Sequence, residues 1–179
     1  MTARRAALAA VLLLGGCAHD PFPAAPRTKP IRPPAGRAAA DCTRAPLRPL
    51  LKSGGAVLST NFRRLSPHEA RETARLRGSI LLTVTHDGCT RTGYVFRFRL
   101  PERPRPFTAR KYWYRRAARL MEAIGIEGLR DMTAALRRTV SAPPPYGTWI
   151  KVGDYQRIAV STRSERRAAI VEVRYGTAL

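Results

Sequence analysis

Residues 80–100, with the sequence ILLTVTHDGCTRTGYVFRFRL, decide the fold. Apolar side chains recur here at every second position, the period of a strand with one buried face. They are Ile80, Leu82 and Val84 within residues 79–86, and Tyr94, Phe96, Phe98 and Leu100 within residues 92–100. Arg97 and Arg99 occupy alternate positions, and His86-Asp87-Gly88 is typical of a hairpin turn. The stretch therefore predicts an antiparallel β-hairpin.

Three further segments, one before this hairpin and two after it, are also predicted to be strands. Residues 149–162 and 168–175 predict a second hairpin that turns near Ser164-Glu165. The β-prone residues 57–62 predict one extra strand.

Helical patterns lie between the two hairpins and before the first one. Two helices between the hairpins are predicted by apolar faces formed by Trp113, Ala117, Leu120 and Ile124, and by Leu129, Met132, Leu136 and Val140. A third helix is predicted from Ser66 to Gly78, because Ser66 suits the N-cap, Pro67 the first helical position and Glu69 position N3. The expected fold class is α+β: a small antiparallel sheet of two hairpins plus an extra strand, packed by about three helices.

The composition changes before this domain, which we expect to span residues 41–179. Residues 18–40 contain six prolines and seven alanines and have few large apolar side chains. Such a segment cannot bury enough surface to fold, and it would reach on the order of 70 Å if fully extended. Residues 17–40 are therefore predicted to form a tether.

The amino terminus has the pattern of a secretory signal. Arg4 and Arg5 precede the apolar residues 6–14, which end at Gly15, Gly16 and Cys17. This apolar run is too short to span a bilayer core of about 30 Å as a helix. Residues 1–16 are predicted to be removed as a signal peptide.

Leu14-Gly15-Gly16-Cys17 resembles the lipobox of bacterial lipoproteins. The resemblance implies that the Cys17 thiol receives a diacylglyceryl group, that the bond before it is cleaved, and that the new amino terminus is acylated, with palmitate as the expected group. In the lipoproteins of Gram-negative bacteria, a residue such as Ala18 after the cysteine implies transfer to the outer membrane, facing the periplasm. The alternative is an ordinary signal peptide with Cys17 free or paired.

Cys42 and Cys89 remain as an even pair in an exported chain, and we expect them to form a disulfide. The bridge would close a loop of about 47 residues and stabilise the domain by about 4 kcal/mol. The alternative is two free or metal-binding cysteines. His86 lies three residues before Cys89, but no further ligand has the spacing of a zinc site, so no metal or other cofactor is predicted.

The chain is strongly basic, with 33 Lys plus Arg against 12 Asp plus Glu and a net charge of +21, which falls to +19 once Arg4 and Arg5 are removed. Outside the cytoplasm such a charge attracts anionic head groups, acidic polymers and acidic protein surfaces. Only 4 of the 33 basic residues are Lys, a bias that a GC-rich genome would also produce.

The densest basic segment is residues 110–116, where three aromatic side chains lie between two pairs of cationic ones. Trp113 falls on the apolar stripe and is predicted to be core. Tyr112, Arg115, Arg116 and Arg119 remain as a candidate face for an anionic ligand; the alternative is a solvated helix face. Nucleic acid is not expected as a partner, because no recognition motif accompanies the charge.

Motifs for catalysis are absent from the sequence: it has no G-x-S-x-G elbow, no H-E-x-x-H pair and no phosphate-binding G-x-x-x-x-G-K-[ST] loop. His68 and His86 are the only histidines within the domain. A His86, Asp87 and Ser79 arrangement can be drawn, but nothing positions an oxyanion hole.

The sequence therefore predicts a non-enzymatic, lipid-anchored envelope protein whose domain binds another protein or an acidic envelope polymer. Two roles fit this plan: an inhibitor or immunity protein, and an accessory component of an envelope assembly. The alternative is an envelope hydrolase acting on a cell-wall or lipid substrate with a histidine as general base.

Overall fold

The computed structural model describes residues 47–87, 93–101, 106, 108–165 and 168–177. The predicted signal peptide and tether, Cys17, and the Cys42–Cys89 pair lie outside these residues and stay predictions. Within the described part of the chain, no helix has the length and apolar character needed to cross a membrane.

Seven antiparallel strands form one sheet with the order β1-β2-β3-β4-β7-β6-β5. The strands are β1 Val57–Arg64, β2 Glu69–Leu76, β3 Ile80–Asp87, β4 Gly93–Leu100, β5 Ile150–Lys151, β6 Gln156–Glu165 and β7 Ala168–Thr177. Each of β1 to β3 pairs with the next strand along the chain. After the helices, β7 pairs with β4, and β6 and β5 complete the sheet.

Two helices, α1 Arg110–Ile124 and α2 Arg130–Thr139, follow β4, with a 3₁₀ turn at Glu127–Leu129 between them. α1 ends at Gly125, which has a left-handed φ of 60°, a conformation that glycine adopts without steric cost. Glu122 of α1 pairs with Arg137 of α2. This ion pair links the helices on the side that faces solvent.

The core lies between these helices and one face of the sheet, which we call the covered face. Its centre is a cross-strand row of Leu82, Phe98 and Val171. The helices contribute buried side chains from both α1 and α2, among them Trp113, Tyr114, Leu120, Met132 and Leu136.

The chain entering β1 closes the covered face beside β2. Leu51 is buried, and the backbone N–H groups of Leu50 and Leu51 donate to the Glu72 carboxylate at 2.9 and 3.0 Å. Glu72 itself is 0% exposed. A charged side chain of β2 thus holds the amino-terminal segment of the domain against the sheet.

The predicted fold class is wrong in its balance of elements. Seven strands and two short helices make a sheet-dominated fold, not a small sheet with about three helices. The helix predicted from Ser66 to Gly78 is strand β2, whose alternate residues are buried. Ser66 caps no helix, because Glu69–Leu76 are extended; its Oγ accepts the N–H of His68 at 3.2 Å within the β1–β2 turn.

The other predicted elements are confirmed. β3 and β4 form the first hairpin, β6 and β7 form the second, and β1 is the extra strand. The second hairpin differs in detail, since residues 152–155 interrupt its first strand and leave β5 as a separate two-residue strand.

Candidate functional site: an arginine-covered sheet face

The sheet face opposite the helices, which we call the open face, carries eight exposed arginines. Successive side chains of a strand point to opposite faces, so the residues between the buried core positions lie here. The arginines are Arg63 on β1, Arg71 and Arg75 on β2, Arg97 and Arg99 on β4, Arg157 and Arg163 on β6, and Arg174 on β7. Neither described helix packs onto this face, although Ala159, Ala168 and Ile170 of β6 and β7, which face the same side, are buried. The open face is therefore a broad cationic surface.

Acidic side chains are few on the same face. Among the described side chains they are Glu172 near the centre, and Glu69 and Glu165 at strand ends. The open face is thus cationic because of where the strands place the arginines, and not only because the whole chain is basic.

Strand register arranges six of these arginines into two rows that cross the sheet. The first arginine row consists of Arg63, Arg71 and Arg174. The second arginine row consists of Arg75, Arg99 and Arg163. The rows are separated by four positions along β2, or about 13 Å at about 3.3 Å per residue.

A row of uncharged polar side chains lies between the two arginine rows. This polar row consists of Asn61, Thr73 and Thr83 on β1 to β3, and Ser161 on β6. A groove of about 360 Å³ over β1 to β3 is lined by Asn61, Thr73 and Thr83 together with Arg75 and Leu81. Hydroxyl and amide groups therefore line a trough that has guanidinium groups along both sides.

Glu172 ties two arginines together where the polar row crosses β4 and β7. Its Oε2 accepts bonds from Nε and Nη2 of Arg97 at 3.2 and 3.0 Å, and its Oε1 accepts Nε of Arg174 at 2.7 Å. Burial raises the pKa of this carboxyl, but the bonds and charges of Arg174 and Arg97 outweigh burial and lower the pKa overall. Glu172 stays ionised and fixes both guanidinium groups.

Arg63 and Arg71 are direct cross-strand partners. Like charges placed opposite each other destabilise a sheet. A bound anion would remove this penalty, so the pair supports a role for the open face in binding anions.

The structure does not bring the predicted α1 face together as one exposed surface. Arg115 and Arg119 are exposed one turn apart, whereas Arg116 and Tyr112 are half-buried. The Tyr112 ring packs edge-on against Trp113 with centroids 5.0 Å apart. Trp113 is 1% exposed, which confirms its predicted core position. Arg115 and Arg119 thus offer two neighbouring charges, compared with eight on the open face.

The histidines considered as general bases occupy unfavourable places for catalysis. His86 is 2% exposed on the covered face, between the rings of Phe62 and Tyr94. Ser79 lies in the turn before β3, about 23 Å from His86 at about 3.3 Å per strand residue. The arrangement of His86 with Ser79 is therefore not formed. His68 lies half-buried in the β1–β2 turn.

Within the described residues, no group of three or more His, Cys, Asp or Glu side chains has the arrangement of a metal site. Both domain cysteines lie outside these residues, and the absence of a bound metal stays a prediction.

Comparison with known proteins gives no relative. No protein-family model matches the chain, and no curated protein or solved structure is significantly similar to it. The function must therefore be inferred from the chemistry and placement of the residues themselves.

Proposed function

We propose that this chain is a lipid-anchored protein of the cell envelope whose folded domain binds an acidic envelope polymer on the open face, without catalysis. The observation that carries the proposal is the placement of eight exposed arginines on one sheet face. The lipobox supplies the expected anchor, and the tether would hold the domain within on the order of 70 Å of the membrane.

The electrostatics of the open face favour an extended anion. Arg63 and Arg71 lie on neighbouring strands about 4.8 Å apart, well inside a Debye length of about 10 Å at 0.1 M salt, so this pair repels with little screening. Arg75, Arg99 and Arg163 follow one another at two strand spacings, or about 10 Å. A polyanion relieves this repulsion at many positions at once and releases counterions on binding. Guanidinium groups also match carboxylate and phosphate groups in a two-pronged geometry.

A protein partner fits the open face less well than a polymer. Protein interfaces are enriched in aromatic side chains, methionine and arginine, and their centres are depleted of charged residues. None of the described open-face side chains is aromatic, and the centre of the face is occupied by Thr73, Thr83 and the Arg97–Glu172 pair. The composition of the face therefore favours a flexible charged chain over a packed protein surface.

Charge reversal at two open-face positions is expected to abolish most of the binding. Arg71→Glu with Arg99→Glu should weaken binding of the full chain to immobilised polygalacturonate by about 30-fold or more, because each arginine near an anionic surface contributes about 1 kcal/mol. Binding is measured in 0.1 M salt, and the salt dependence of the affinity should flatten as counterion release decreases.

Arg115→Glu with Arg119→Glu on α1 is the matched control, since both pairs are exposed and both double variants change the net charge equally. The control should lose less than about threefold, which reflects only long-range attraction. Equal losses in the two variants would show that net charge alone drives binding, and a larger loss in the control would place the site on α1. Either result would contradict the proposal.

The anchor has its own expected result. The wild-type chain expressed in a Gram-negative host should sediment with membranes and dissolve only in detergent, since two or more acyl chains give stable attachment. Cys17→Ser should release the chain into the soluble fraction. Mass spectrometry should find the lipid on Cys17 as the first residue, and an unmodified Cys17 in the wild type would contradict the anchored part of the proposal.

A further inference from the structure

We infer that the ligand of the open face is a linear acidic polysaccharide that lies across the strands along the polar row. The inference rests on the proposed function and adds to it the class of polymer and the direction in which it binds. Two features of the open face carry it: the shape of the charged surface and the uncharged groups at its centre.

The polar row has the length of a short extended chain, and its part over β1 to β3 lies in a groove. It crosses the strands β1, β2, β3, β4, β7 and β6, so five spacings of about 4.8 Å give it a length of about 24 Å. Each arginine row lies two residues to one side of the polar row, or about 7 Å along the strands. A single extended chain lying in the trough would have cations within reach on both sides.

The side chains of the trough suit a ligand that carries hydroxyl groups. Thr73 and Thr83 are direct cross-strand partners, and Asn61 continues the row on β1. Hydroxyl and amide groups both donate and accept hydrogen bonds, as sugar hydroxyls do. A polymer that carried only phosphate or carboxylate groups would need the arginines but not this uncharged row.

Arg97 and Glu172 form the one charged element within the trough. Because Glu172 is hydrogen-bonded to both Arg97 and Arg174, the two guanidinium groups are held in place before a ligand arrives. Arg97 keeps a side-chain exposure of 47%, so its remaining donors can reach a carboxylate group of the sugar chain. Glu172 is thus a positioning residue.

The central prediction is that loss of two hydroxyl groups weakens glycan binding but not binding of a simple polyanion. In the full chain, Thr73→Val with Thr83→Val keeps the shape, β-propensity and charge of the strands. We expect about 4- to 150-fold weaker binding of hexagalacturonate, since each of the two net hydrogen bonds contributes a factor of about 2 to 12, and less than about twofold change for a short-chain polyphosphate.

Thr133→Val with Thr139→Val on α2 is the control, because it removes two hydroxyl groups whose bonds go to the backbone carbonyls of Leu129 and Ala135. This control should bind hexagalacturonate as the wild type does. Thermal unfolding of each variant establishes that the domain is folded at the temperature of the measurement.

A second measurement tests the length of the binding site. Affinity for galacturonate oligomers should rise with length until the oligomer spans the trough, and then rise only weakly.

Unchanged hexagalacturonate binding in the Thr73→Val, Thr83→Val variant would overturn the polysaccharide assignment. So would equal weakening of both polyanions, or binding to phosphatidylglycerol vesicles in preference to the oligomers. The proposed function fails separately, through the arginine variants, if wild-type binding does not depend on Arg71 and Arg99.

Discussion

Replacement of Glu72 by alanine is expected to lower the free energy of unfolding by about 3 to 5 kcal/mol, because it leaves two buried N–H groups without an acceptor and opens a cavity. Glu72 is 0% exposed and accepts the N–H groups of Leu50 and Leu51. Its Oε2 also lies 3.5 Å from Nε2 of His86. Urea unfolding of the full chain, followed by tryptophan fluorescence, measures the change.

Glu69→Ala is the matched control for this prediction. Glu69 is the first residue of the same strand, and its side chain is exposed, so its removal should change stability by no more than about 0.5 kcal/mol. Glu72→Gln should fall between the two, at about 2 kcal/mol, because the amide keeps one acceptor oxygen but turns a donor toward the second N–H group. Similar values for Glu72→Ala and Glu69→Ala would contradict the role of Glu72 in holding Leu50 and Leu51 against the sheet.

Hydrogen exchange gives an independent readout of the same contact. In the Glu72→Ala variant, the amides of Leu50 and Leu51 should lose their protection more than those in the centre of β7 do, because the amino-terminal segment would detach before the sheet unfolds. Uniform loss of protection would show that Glu72 stabilises the whole sheet and does not hold this segment in particular.

Glu72 also explains why β2 was predicted to be a helix. The inward positions of β2 are Ala70, Glu72, Ala74 and Leu76, of which only the last is a large apolar residue. A carboxylate faces the core here because two N–H groups about 20 residues earlier in the chain bind it. Such a tertiary partner leaves no periodic signal, so the local helix-start pattern at Ser66-Pro67 determined the prediction.

The hairpins and α1 could be predicted because their inward positions are large and apolar. Phe96 and Phe98 are fully buried, and Arg97 between them is exposed, as the alternation requires. The open face as a whole could not be predicted. Its β6–β7 part joins the β1–β4 part only because β7 pairs with β4, which brings Arg174 and Glu172 beside Val95 and Arg97 from 75 or more residues earlier. Because the sequence predicts a helix from Ser66 to Gly78, it does not place Arg71 and Arg75 on this sheet face.

The second large effect is expected at Trp113, one of three aromatic residues in the most basic segment of the chain. Trp113→Ala should destabilise the domain by about 3 to 5 kcal/mol, because it removes a large side chain from the layer between α1 and the sheet. Trp113→Phe should cost less, about 1 to 2 kcal/mol, because most of the ring volume remains. Thermal and urea unfolding of both variants measure these changes.

Trp149→Ala is the matched control, since Trp149 is 48% exposed and its removal should lower the free energy of unfolding by less than about 1 kcal/mol.

Measuring polygalacturonate binding then distinguishes a core role from a ligand-stacking role for Trp113. The indole Nε1 is buried and has no hydrogen-bond partner among the described residues, so Trp113→Phe loses no polar contact in the folded domain. If Trp113 serves only to pack the hydrophobic core, Trp113→Phe binds polygalacturonate with wild-type affinity. If the affinity falls while the variant stays folded, the ligand contacts α1, and the binding site lies on the helix layer instead of the arginine rows of the sheet.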